Sequence, residues 1–223
     1  ILLSDQSTSF CHYDSTDNFK EKKLIPLEIL QNAIKYAFME DLFVQFVLPS
    51  YSLPKEYEDI IFSIKASIIA PVDTAYNEAD VLVINGFSEF SNIKVKKDVN
   101  YVLKTNKDEF FNQYAELIIR LIEFSRLNIV FTDVENFTDY DFNLYQNVLY
   151  EFVFCVRDII LSGKTIQLNI LTDRIIKEEM NNCGAGYNTI TLASDGQFYI
   201  CPAFYYMKES PIGNLEDGLV IKN

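Results

Sequence analysis

The chain has 223 residues, 49% of them apolar and 23% charged, which is enough to bury a substantial core in an ordinary globular protein. Nineteen basic against thirty-two acidic residues leave a formal charge of -13, which repels phosphate backbones and anionic bilayers and argues against nucleic acid or membrane partners. No apolar run reaches the roughly 18 residues of a membrane helix, since the best, Leu117 to Ile122, is broken by Arg120, and ILLSDQ lacks the basic region of a secretion signal.

Taken in chain order, residues 1–4 (ILLS) read as a buried strand. The loop after it carries Cys11, His12 and Asp14, with Asp5 and Asp17 nearby. A Cys/His/Asp grouping can bind a metal or activate a thiolate, and Asp133 or Asp173 could complete it; the plainer alternative is a loop histidine without chemistry. Pro26 opens a helix in which Leu27, Leu30, Ile34 and Phe38 share one face. Apolar β-type runs follow at 43–49, 66–71, 80–85, 100–105, 128–133 and 165–170. Asn106 with Glu109 signals a helix whose inner face is Phe110, Tyr114, Leu117 and Leu121. Thr138 with Asp141 starts another, with Phe142, Tyr145, Leu149, Phe152, Val156 and Ile160 facing inward and Gly163 at its end. Cys155 on that helix reads as a small hydrophobe, and Asp173 as a cap for the helix that follows. The 86–98 stretch has no helical period, so one α/β unit is degraded. This alternation predicts an α/β domain with a mainly parallel sheet, whose ligands bind at the strand C-termini.

The composition changes near 178–182, and a turn-rich module follows that contains Gly184, Gly186, Gly196, Gly213 and Gly218. The predicted division is 1–178 for the α/β domain and 179–223 for the module. Residues 188–193 and 197–201 are short β-type runs joined by Ser194-Asp195-Gly196, a hairpin signal. Cys183 and Cys201 flank that hairpin, whose strands lie about 5 Å apart. Thiolates suit iron-sulfur clusters or zinc, so the pair could be metal ligands; two structural cysteines are the alternative. Four cysteines in a chain of this size suit metal or redox chemistry in a reducing cytoplasm better than a disulfide framework. Phe204, Tyr205 and Tyr206 are read either as a wall over a cluster or as packing against the main domain.

The stretch from Cys183 to Cys201, with twelve residues before Gly196 and four after it, resembles the opening of SPASM modules in radical S-adenosylmethionine peptide-modifying enzymes. Cys-Gly-Ala-Gly at 183–186, Cys-Pro-Ala-Phe at 201–204 and Ile-Gly-Asn-Leu at 212–215 add to the likeness. With residues 9–14 (SFCHYD), 24–28 (LIPLE) and 45–49 (QFVLP), the chain resembles the CXXX-repeat peptide maturases. The resemblance implies a partial (β/α) barrel like the radical enzyme core, with a SPASM-like C-terminal hairpin module. It implies a [4Fe-4S] cluster held in part by Cys183 and Cys201, the remaining ligands being expected beyond Asn223, and a small cysteine-containing precursor peptide as partner. In such enzymes three cysteines spaced C-x3-C-x2-C hold the radical cluster; here Ser7, Cys11 and Asp14 take those places, with Tyr13 as the aromatic. Oxygen donors are poor ligands for such a cluster, and Pro49 to Pro54 replaces the glycine-rich turn, so S-adenosylmethionine cleavage is not expected.

Three expectations follow. The first is a component of a ribosomal peptide maturation system that binds and helps modify a cysteine-containing precursor through an auxiliary iron-sulfur site, with a second maturation enzyme as a possible partner. The second is a non-catalytic peptide-binding or scaffold protein with a structural zinc or no metal. The third is a small hydrolase with Cys11 as nucleophile and His12 as base.

Overall fold

A computed structural model describes residues 1–7, 23–74, 76, 78–176, 184–205 and 210–220. The chain divides into two compact units, one of residues 1–79 with 181–223, the other of residues 80–180. The fold is α/β, with six parallel strands, two in the first unit and four in the second, and a separate antiparallel sheet of four strands.

In the first unit, helix α1 (Leu27–Met39) begins after Pro26, whose φ of -55° suits a helix start. Its inner face is Leu30, Ala33, Ile34 and Ala37, the i, i+3, i+4, i+7 positions of one stripe. Phe38, expected inward, is 63% exposed because it lies about 100° round the helix from Ala37, which takes the inner place. Strand β1 (Gln45–Val47), helix α2 (Lys55–Ile61) and strand β2 (Ser67–Pro71) follow, with Phe46 of β1 opposite Ile68 of β2 in parallel register. The expected first strand is reduced to single bridges. Leu2 pairs with Val47 in parallel, while the Leu2 N–H donates to the Leu192 carbonyl at 2.8 Å. Leu3, Ile25, Leu30, Phe46, Leu48 and Ile69 are among its fully buried residues.

The second unit runs β3 (Val81–Asn85), α3 (Phe87–Phe90), β4 (Asn100–Thr105), α4 (Lys107–Arg120), β5 (Arg126–Phe131), α5 (Asp139–Leu161), β6 (Gln167–Leu168) and α6 (Thr172–Ile176). Its strands pair in parallel in chain order. The degraded 86–98 unit keeps one turn of helix, held by Arg120, whose guanidinium donates to the carbonyls of Phe90 and Ile93. The two capping signals fold as expected: Asn106 accepts from the Glu109 N–H, and Thr138 with Asp141 forms a reciprocal capping box. Ring contacts join Phe110, Phe131, Tyr145 and Phe152 beneath α4 and α5.

Two expectations need correction in this unit. The buried residues of α5 are Val148, Phe152, Val156 and Ile159, whereas Phe142 and Ile160 are about half exposed. Phe142 and Ile160 lie five full turns apart and so share one angle on the helix, about 85° from the centre of the buried row. The strand read at 165–170 is only two residues long. Beyond it the Asn169 amide side chain bonds to both backbone groups of Ile129, at 2.8 and 2.9 Å, in place of a strand neighbour.

Candidate functional site

The small sheet of the first unit has the order β10-β9-β8-β7, from β7 (Thr191–Leu192), β8 (Gln197–Tyr199), β9 (Gly213–Asn214) and β10 (Gly218–Leu219). The β7 and β8 strands form the expected antiparallel pair. Ser194, Asp195 and Gly196 make the turn between them, with the Asp195 carboxyl accepting from the Gln197 N–H at 3.0 Å. Gly213 is dictated by packing: at φ 149° a Cβ there would sit 2.0 Å from the Gly218 carbonyl oxygen. Asn214 then closes the β9–β10 turn by accepting from the N–H groups of Glu216 and Asp217. The glycines and asparagine of this tail are thus what its turns require.

Cys201 stands at the exit of β8, half-buried, in extended backbone, with a free thiol. Its carbonyl accepts from the Phe204 N–H and starts a 3₁₀ turn over Pro202–Phe204. Beside it residues 184–189 fold into a compact turn in which the Gly184 carbonyl collects the N–H groups of Tyr187, Asn188 and Thr189. Gly186, at φ 77°, lies against Ile200, the residue before Cys201. Cys201 also lines a cavity of about 700 Å³ with Tyr36 and Ala37 of α1, Phe43, Thr189 and Ile200.

A buried polar cluster ties this sheet to the start of the chain. The Asp5 Oδ1 atom accepts from the Ser194 hydroxyl and, at 2.7 Å, from the Tyr205 hydroxyl, and the two hydroxyls lie 2.6 Å apart. All three residues are buried. Tyr205 packs edge-on against Tyr199, whose hydroxyl donates to Asp195 at 2.6 Å. Of the two readings given to Phe204 and Tyr205, inward packing describes Tyr205, while Phe204 is 39% exposed. Sequence reading missed the cluster because its members lie 189 and 200 residues apart from Asp5. Two polar residues within apolar surroundings, Asp5 after ILLS and Ser194 after TLA, were the only signal.

Of the candidate ligands, Cys11, His12, Asp14 and Cys183 lie outside the described residues, as do Tyr13, Asp17 and Tyr206. Ser7, at the first place of the radical-cluster spacing, is buried. Its hydroxyl donates to the Val47 carbonyl at 2.7 Å and accepts from the Ser4 N–H at 3.0 Å. A hydroxyl committed to two backbone groups does not fit as a cluster ligand at that position. Cys201 is the one described residue of the auxiliary set, and among the described residues no three His, Cys, Asp or Glu side chains gather as a metal site.

Both carboxylates suggested as completing a first-loop site have partners within the second unit. Asp133 accepts from the Lys107 N–H at 3.0 Å. Asp173 pairs with Arg126 at 2.8 Å, and the hydroxyl bonding back to Leu168 at the start of α6 belongs to Thr172. Cys155 points its thiol at the Ile118 carbonyl, and burial, with Asp158 nearby, raises its pKa, so it is a poor nucleophile. No helix among the described residues is long and apolar enough to cross a membrane. No family model and no curated protein matches this chain.

Proposed function

We propose that this chain is a component of a ribosomal peptide maturation system: it binds a small cysteine-containing precursor and helps to modify it, without generating a radical itself. In this reading the parallel strands belong to a partial (β/α) barrel, the 179–223 segment to a SPASM-like module, and a second maturation enzyme supplies the reactive species in the cytoplasm. The observation that carries the reading is Cys201, at the exit of a short hairpin, beside a cavity of about 700 Å³ walled largely by apolar side chains. Soft sulfur ligands presented on a hairpin suit an iron-sulfur cluster, and Cys183 is the second ligand proposed for it. When bound, that cluster would supply electron transfer next to the peptide.

The commitment of Ser7 to backbone bonds supports a second reading, a peptide-binding scaffold whose tail holds zinc or no metal. Iron and acid-labile sulfide in anaerobically purified full-length protein separate the two. About four irons per chain with sulfide, lost in Cys183→Ala/Cys201→Ala, is the outcome expected of a cluster protein. Zinc without sulfide, or no metal, leaves the scaffold. Capture of the precursor peptide is required by both, and failure to bind it overturns both.

A further inference from the structure

Cys201 is held from both sides along the chain. Tyr199, two residues before it, is buried in β8, and its hydroxyl donates to the Asp195 carboxyl at 2.6 Å. Tyr205, four residues after it, is buried as well, and the two rings meet edge-on at 5.4 Å. Between them the backbone has little freedom. Pro202 fixes its own φ, the Cys201 carbonyl accepts from the Phe204 N–H at 3.1 Å, and the Pro202 carbonyl accepts from the Tyr205 N–H at 3.2 Å. Where the thiol sits is therefore set by where the Tyr205 ring is anchored. That ring ends on Asp5, whose Oδ1 accepts from the Tyr205 hydroxyl at 2.7 Å and from the Ser194 hydroxyl. The anchor has a fixed base of its own. The Asp5 N–H donates to the Lys23 carbonyl at 3.0 Å, Ser4 bridges Leu24, and the Leu2 N–H donates to the Leu192 carbonyl at 2.8 Å.

We propose that Asp5 is the positioning residue for Cys201, which rests on the reading of Cys201 as the working thiol of the tail. Through Tyr205 it keeps the 202–205 turn closed and the thiol at the wall of the cavity shared with Tyr36, Ala37 and Ile200. A ligating or reacting group works only when its supporting residues fix it to within about 0.5 Å, so such support is part of the site. What Asp5 supplies is one oxygen that accepts two hydrogen bonds, and an amide oxygen can do the same. Asp5→Asn should therefore preserve the position of Cys201. Asp5→Ala leaves the two hydroxyls without their shared acceptor, and Tyr205→Phe keeps the ring packing but removes the bond.

The test is the rate at which N-ethylmaleimide alkylates Cys201 in the native full chain, read by peptide mass spectrometry with Cys155 as the internal reference. Tyr205→Phe and Asp5→Ala are expected to raise that rate about tenfold or more by local opening of the turn, with Asp5→Asn near the parent. Tyr57→Phe controls for lost stability alone. Its hydroxyl is also buried in the first unit, and donates to the Ile25 carbonyl at 2.7 Å, a bond that is no part of the turn. An unchanged Cys201 rate in Tyr205→Phe and Asp5→Ala, or an equal rise in Tyr57→Phe, overturns the proposal. Iron and sulfide in the same samples keep it apart from the cluster reading. Faster alkylation of an iron-free chain supports the positioning and ends the cluster, whereas an unchanged rate in a chain that holds iron ends the positioning alone.

Discussion

Asp5, Ser194 and Tyr205 show how a few polar atoms fix the C-terminal sheet on the chain's first residues. A buried carboxyl is tolerated where hydrogen-bond donors surround it, and here two hydroxyls converge on one oxygen. Removing either hydroxyl leaves the other members under-satisfied in a buried site, so Tyr205→Phe and Ser194→Ala are each expected to cost about 1 to 3 kcal/mol. Urea unfolding of the two variants and of their combination checks this. The double variant should lose less than the sum, because both act on the same oxygen. Equal additivity would mean that the two hydroxyls act independently. Local signals such as Asn106, Thr138, Gly163 and the Ser194-Asp195-Gly196 turn were legible in the sequence because capping and turn chemistry span only a few residues. The Asp5 cluster was not, because nothing local marks which buried polar residue will meet another across the chain.

Among the elements, α5 depends on its N-terminal cap. Thr138 accepts from the Asp141 N–H, and Asp141 Oδ2 accepts from the Thr138 N–H, from its hydroxyl and from the Lys107 ammonium at 2.9 Å. The Thr138 backbone bond, then the Lys107 and Thr138 side-chain bonds, hold the Asp141 pKa down to about 2, below its usual value near 4. A carboxylate with a lowered pKa stabilises the fold above its unfolded value, and the contribution is lost as pH falls through the folded one. The stability gap between the parent chain and Asp141→Asn is therefore expected to be full above about pH 5 and to close between about pH 4 and 2. Thermal unfolding of both proteins over that range tests it, and a gap independent of pH would show that the charge contributes nothing. Thr138→Ala removes the cap itself and is expected to cost about 1 kcal/mol near neutral pH. The existence of α5 was legible from this cap and from Gly163, but its buried face was not. Apolar residues such as Phe142, Tyr150, Phe154 and Ile160 fall outside the buried row of Val148, Phe152, Val156 and Ile159, so the pattern offered more than one stripe, and contact with the rest of the unit selects between them.

On the scale of the whole molecule, the excess of acid over base constrains any partner. A net charge of -13 sets up a negative field that slows the approach of anions and draws in cations, over a Debye length of about 10 Å at 0.1 M salt. Glu40 is the single carboxylate among the residues lining the cavity beside Cys201, whose other walls are apolar or neutral. A precursor that docks there should therefore bring apolar side chains to the cavity and a neutral or basic flank to its rim. Charge steering acts mainly on the association rate, whereas apolar burial sets how long the complex lasts. Stopped-flow binding of a precursor with a basic flank is then expected to slow about tenfold or more as salt rises from about 0.02 to 0.5 M, with the dissociation rate nearly constant. Glu40→Gln should reduce that salt dependence, because one rim charge is gone, while Cys201→Ala should leave it intact. If the salt effect fell on dissociation instead, the peptide would be held by close ion pairs, and the acidic surface elsewhere on the chain, not this apolar cavity, would be where it binds.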